Sequence, residues 1–97
     1  MTSKQRAYLK GLAMDMNAIV QVGKDGLTPE VTKSLEEALA ARELVKVNVQ
    51  KNYFGDLNEL GEDMASRTNS IKVQTIGRKI VFYRAGKGAK KKIELPK

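Results

Sequence analysis

The chain contains no cysteine and no histidine. Without Cys there is no disulfide, no thiolate zinc site and no thiol nucleophile. Without His the commonest general base and metal ligand is missing. Aromatic residues are scarce, and Tyr8, Tyr53, Phe54, Phe82 and Tyr83 are the whole set. Most of these rings are expected in the core. Phe82 and Tyr83 are adjacent on one predicted strand, so they point to opposite faces and leave at most one ring free to meet a ligand. No apolar run approaches the ~20 residues of a membrane span. Lys4, Arg6 and Lys10 break up the N-terminus where a secretory leader would carry its apolar core. The expectation is a soluble cytoplasmic protein with no metal, no cofactor and no small-molecule substrate.

What is present is a chain of 97 residues, 41% of them apolar. That is enough for one domain with one modest core. The formal charge of +7 is unevenly spread. Residues 1–26 carry four cations and two carboxylates, residues 27–69 five cations and eight carboxylates, and residues 70–97 nine cations and Glu94 alone. Solubility does not require such segregation. If the two basic ends meet in the fold they make one positive face, which suits nucleic acid or an anionic membrane.

The hydrophobic pattern predicts the order α-β-α-β-α-β-β. Ser3 is a candidate N-cap, followed by Leu9, Leu12, Ala13 and Met16 at helical spacing. "AIVQV" (18–22) reads as a short buried strand. Thr28 and Pro29 open a second helix with Val31, Leu35, Ala38 and Leu39 inward and Glu36 and Glu37 toward water. "ELVKVNV" (43–49) alternates Val45, Val47 and Val49 against Leu44, Lys46 and Asn48. Asp56 can cap a third helix carrying Leu57, Leu60, Met64 and Ala65 on its inner face. "SIKVQTIG" (70–77) alternates Ile71, Val73 and Thr75 against Lys72, Gln74 and Ile76. A turn at Gly77-Arg78 then leads into "KIVFYR" (79–84), a closing hairpin. The first two strands, joined through a helix, should be parallel. The expected fold is a small two-layer α/β sandwich with a mixed four-stranded sheet. It forms a single domain over 1–97, with a mobile Gly/Lys-rich segment at 85–92. Ile93 and Leu95 could pack as a short edge segment.

One stretch has chemistry to weigh. "VQVGKDGLTPEV" (20–31) sets Gly23, Lys24, Asp25 and Gly26 between a strand and a helix. It meets neither the Walker A pattern nor the dinucleotide G-x-G-x-x-G fingerprint. The adjacent carboxylates Glu36-Glu37 and Glu62-Asp63 diverge on solvated helix faces, and no nucleophile is paired with a base. An enzyme is therefore not expected. A plain turn is one reading of the loop. The other is a phosphate clamp, in which glycine lets backbone N–H groups approach, the helix start adds its positive dipole end, and Lys24 adds a cation. The KH module of RNA-binding proteins uses a Gly-x-x-Gly loop this way.

"KQRAYLKGLA", "VQVGKDGLTPEV", "ELVKVNV" and "VQTIGRKIVFYR" occur in an order and spacing that resembles the CRM domain (chloroplast RNA splicing and ribosome maturation), in its bacterial single-domain, YhbY-like form. The resemblance spans about residues 3–97. It implies a fold like the C-terminal domain of bacterial translation initiation factor 3 and association with ribosomal RNA in precursors of the large (50S) subunit. It places the family's Gly-x-x-Gly loop on Gly23, Lys24, Asp25 and Gly26. Asp25 departs from a purely basic loop and is expected to turn outward or cap locally. Together with the charge pattern this gives an expected RNA surface of the loop plus Arg6, Lys10, Arg78, Lys79 and Arg84, on a protein acting as a monomer. Lys33 and Lys51, within the acidic middle, are expected to contribute little, and Glu36, Glu37, Glu59 and Glu62 to lie away from it. The alternative is a basic module that docks on an anionic membrane or an acidic protein through Lys90, Lys91 and Lys92.

Overall fold

The computed structural model describes residues 1–86 and 93–96. Its elements are α1 (Ser3–Ala13), β1 (Val20–Val22), α2 (Pro29–Arg42), β2 (Leu44–Val49), α3 (Leu57–Thr68), β3 (Ile71–Ile76) and β4 (Lys79–Tyr83). They follow the predicted order. The sheet runs β1-β2-β4-β3. β1 and β2 are parallel with Val22 opposite Val49, and the other two pairings are antiparallel.

Local chemistry fixes the helix ends. Thr28 Oγ1 accepts the Val31 N–H at 3.2 Å and Pro29 fills the first helical position of α2. Asp56 accepts the N–H groups of Asn58 and Glu59 at 2.8 and 3.1 Å. At α1 the cap is Thr2 rather than Ser3: Thr2 and Gln5 exchange side chain-to-backbone hydrogen bonds, both at 3.1 Å. The reciprocal bond needs Gln three residues after the cap, and Gln5 stands in that relation to Thr2. α2 ends on Glu43, a buried residue at φ 65°. This residue caps the helix instead of starting β2.

The sheet parts two apolar clusters. Val45, Val47 and Val49 of β2 and Ile80 and Phe82 of β4 face α2 and α3, where they meet Leu35, Leu39, Leu60 and Met64. Truncating Leu35, Leu39, Met64 or Ile80 to Ala should cost ~2–5 kcal/mol. Leu44, Val73, Val81 and Tyr83 face the other way, onto Leu9 and Ala13 of α1. The expected two layers hold for the sheet with α2 and α3, and α1 adds a third on the opposite side. Phe82 and Tyr83 do point to opposite faces, but both are buried, so neither is free to meet a ligand. Ile93 and Leu95 pack against the α1 cluster without forming a strand. The expectation of a mobile 85–92 segment falls, for residues 87–92, outside the described residues.

A bulge corrects the alternation of β3. The register shifts between Lys72 and Gln74, so Gln74 pairs with Val81 and Ile76 with Lys79. The extra residue turns Val73, Gln74 and Ile76 to the α1 face and Thr75 to the α3 face. There the Thr75 hydroxyl is buried with no partner among the described residues.

Candidate nucleic-acid interface

Parallel pairing of β1 and β2 brings the chain out of both strands at the same end of the sheet. The loop after β1 is a hydrogen-bonded turn, with the Gly26 N–H donating to Gly23 O at 3.0 Å. The loop after β2 makes a second turn, with the Tyr53 N–H donating to Gln50 O at 3.1 Å. The two turns pack together. Gly26 sits at φ 67°, and a Cβ there would lie 2.8 Å from the Tyr53 ring. A Cβ on Gly23 would lie 3.4 Å from Gln50 Oε1. Gly26 is thus required by backbone conformation and by the Tyr53 ring, and its N–H is used inside the turn. What the loop offers outward is Lys24. Asp25 is also exposed. Both α2 and α3 begin at this end, so two positive dipole ends lie beneath it.

The arginines of the expected surface are engaged by the protein itself. Arg78 donates from Nε to Val49 O at 3.0 Å and from Nη2 to Gln50 O and Tyr53 O at 2.6 and 2.7 Å. It fastens the β3–β4 hairpin to the second turn, and so stands at the same end as Lys24. Arg6 donates to Lys72 O and Val73 O at 2.9 and 2.6 Å, the carbonyls at the β3 bulge. Arg84 pairs with Glu36 Oε2 and with Thr68 O, both at 2.8 Å. It follows β4, whose last residue pairs with Leu44 at the start of β2, so it lies at the opposite end of the sheet from Lys24. The expected single surface therefore loses Arg84, and Glu36, expected to face water, pairs with that arginine while 43% of its side chain stays exposed. The guanidinium fork suits this work because it can satisfy two or three carbonyls at once.

Four exposed lysines behave differently. Lys10, Lys24, Lys51 and Lys79 are exposed and make no hydrogen bond or ion pair among the described residues. Lys51, set aside by the sequence reading, lies in the turn that packs on the Gly23–Gly26 loop. The signal that could have placed it is the predicted parallel pairing, which puts the residues after both strands side by side. α1 covers only part of its sheet face. Beside it an open groove of about 440 Å³ is lined by Lys10 and Met14 of α1, Lys46, Lys79, Val81 and Ile76. Lys10 and Lys79 are exposed along it, and no carboxylate is among the described residues that line it. Glu59 is on the first turn of α3, so it starts near the loop end and is not remote from it. Glu62 pairs with Lys72 at 3.1 Å. No described helix is long and apolar enough to cross a membrane, and Lys90, Lys91 and Lys92 fall outside the described residues.

The model for the CRS1/YhbY (CRM) domain matches residues 1–84 of the chain. A Bacillus subtilis protein named "Probable RNA-binding protein YqeI" is 43% identical over 96 residues, covering 99% of each chain. A Haemophilus influenzae protein named "RNA-binding protein" is 37% identical over 97 residues, all of this chain and 96% of that one. The solution structure of the hypothetical protein SAV1595 from Staphylococcus aureus superposes with a TM-score of 0.84 at 44% identity, over 99% of each chain.

Proposed function

The chain belongs to the CRS1/YhbY (CRM) domain family, and from that premise we propose that it is an RNA-binding protein, not an enzyme, that grips the RNA backbone at the loop end of its sheet. The observation that carries this reading is the convergence there of Lys24, Lys51 and Lys79, none of them engaged by a carboxylate among the described residues. Lysines held away from carboxylates repel one another, and a phosphate backbone offsets that repulsion. The groove extends the positive path through Lys46 to Lys10. Arg78 and the glycines act from beneath, shaping the two turns that carry Lys24 and Lys51.

The RNA is ribosomal, and the role is assembly of the large subunit in the cytoplasm, with the protein acting as a single copy. The family resemblance supports this finer reading. Backbone gripping through some four to six phosphates predicts a slope of roughly −3 to −4 for log affinity against log salt on single strands. Crosslinking in cells followed by sequencing tests the target. Reads concentrated on large-subunit ribosomal RNA and its precursors are expected. Reads spread over messenger RNAs in proportion to their abundance would end the assembly reading while leaving RNA binding intact.

A further inference from the structure

Phe54 is 92% exposed, the most exposed of the large apolar side chains. Burying a phenyl ring is favourable, and the fold leaves this one in water. Its backbone, however, is held on both sides. On one side Arg78 clamps the carbonyls of Gln50 and Tyr53 at 2.6 and 2.7 Å. The Tyr53 ring is also wedged where a Cβ on Gly26 or on Gly55 would collide with it. On the other side Asp56 is fixed by capping α3. Phe54 is therefore an apolar ring presented to solvent from a braced loop, one residue from the ring that packs against Gly26.

We propose that Phe54 is a stacking platform for a nucleobase of single-stranded RNA, next to the phosphate contacts of Lys24 and Lys51. The proposal rests on the RNA-binding reading above and adds a subsite that grips a base instead of the backbone. Three points favour a base as occupant. A protein partner would want a contiguous apolar patch, whereas the neighbours Lys51, Asn52, Gly55 and Asp56 are exposed and polar or lack a side chain. A base needs only one ring face, and stacking tolerates any of the four bases. Finally, a braced backbone loses little freedom on binding, so more of the stacking energy appears as affinity. The carboxylates nearby do not block the ring: Asp25 is on the other turn and Asp56 is turned into its own helix end.

The chain has no tryptophan, so Phe54→Trp installs a single reporter at the subsite. Full-length protein would be titrated with short oligo(A) and oligo(U) strands, with binding followed independently by anisotropy of labelled RNA. The expected result is quenching of the tryptophan in step with binding. Phe54→Ala should weaken binding roughly tenfold without changing the salt slope, because stacking releases no counterions. Phe54→Leu, which keeps apolar surface but has no π face, should behave like Phe54→Ala. Full affinity in Phe54→Leu, or an unquenched tryptophan at saturating RNA, would overturn the platform and leave the RNA reading standing. A fall in salt slope in Phe54→Ala would also overturn it, since the ring would then act only by shaping the lysine loops. If the unmodified protein binds neither strand, the RNA reading fails and the platform with it.

Discussion

The two ends of the sheet use charge in opposite ways. At the loop end Lys24, Lys51 and Lys79 stand without partners among the described residues. At the far end Arg84 is spent on Glu36 and Thr68 O, and the Glu43 carboxylate is buried and accepts the Ile93 N–H at 3.1 Å. A count of cations along the chain rates Arg84 and Lys79 alike, yet one is neutralised by the fold and the other is not. The lesson is that a basic surface is made of cations the protein has left unpaired. Here the division runs between Arg6, Arg78 and Arg84, whose guanidinium forks reach carbonyls or a carboxylate, and Lys10, Lys24, Lys51 and Lys79, which are exposed and free among the described residues. It is not strictly one of residue type, since Lys72 pairs with Glu62.

The largest effect should come from Arg78, which makes the loop end possible. Arg78→Ala removes a donor from three carbonyls, of which Gln50 O keeps the Tyr53 N–H, and should lower stability by about 2 kcal/mol, read by urea unfolding. Arg78→Lys should rescue little, because one ammonium cannot span the same fork. If Arg78→Ala instead unfolds at the wild-type urea midpoint yet binds RNA poorly, this arginine belongs with the free lysines and the division between engaged and free cations breaks.

Charge reversal tests the division directly. Lys24→Glu, Lys51→Glu and Lys79→Glu should each weaken RNA binding about fivefold, or ~1 kcal/mol. Lys33→Glu, on the exposed side of α2, should change it much less. The informative member is Lys51. Its neighbours in sequence place it with Lys33, while the packing of the Gln50–Tyr53 turn places it with Lys24. An affinity for Lys51→Glu like that of Lys33→Glu would confine the interface to the Gly23–Gly26 loop and the hairpin.

That contrast shows what could be read without coordinates. Short-range chemistry was legible: Thr28 and Pro29 opening α2, Asp56 opening α3, and the alternating valines of β2 each act within a few residues. Which face α1 covers was not, because Leu9 and Ala13 have the same spacing whichever side of the sheet they bury. The β3 bulge inserts one residue and inverts a period-two pattern from Gln74 onward, so Ile76 was placed on the wrong side relative to Val73. The charge of each arginine was visible, but its partners were not. Arg6 reaches carbonyls 66 and 67 residues away, and Arg84 pairs with a carboxylate 48 residues away.

At the far end the Arg84–Glu36 pair should matter for stability and not for binding. Both partners keep solvent contact, so a double-mutant cycle with Arg84→Gln and Glu36→Gln should give a coupling of ~0.5–1 kcal/mol, shrinking as salt rises. RNA affinity should change by less than twofold in either single variant. A larger loss with Arg84→Gln would rejoin the two ends into one surface and restore the distribution expected from sequence.

The smallest effect at neutral pH, and the most specific to the far end, concerns Tyr83. Its hydroxyl is buried and has no hydrogen-bond partner among the described residues. Burial raises its pKa above the ordinary value of 10.0, and the negative charges of Glu43 and Glu94 push the same way. The folded protein therefore holds this proton more tightly than the unfolded chain does. Below about pH 9 both states keep it, and Tyr83 adds no pH dependence. Above the ordinary value the unfolded chain loses the proton first, so it binds fewer protons than the fold and stability falls as pH rises. Tyr83→Phe removes this contribution, and at neutral pH it should be close to neutral because it deletes a hydroxyl with no partner to orphan. Urea unfolding of both proteins between about pH 8 and pH 11 should give curves that coincide at the low end and separate at the high end. The variant should be the more stable of the two there, and the lysine titrations common to both should cancel in the difference. Parallel curves throughout would mean that Tyr83 ionises as readily in the fold as out of it, and that the far end is open to water.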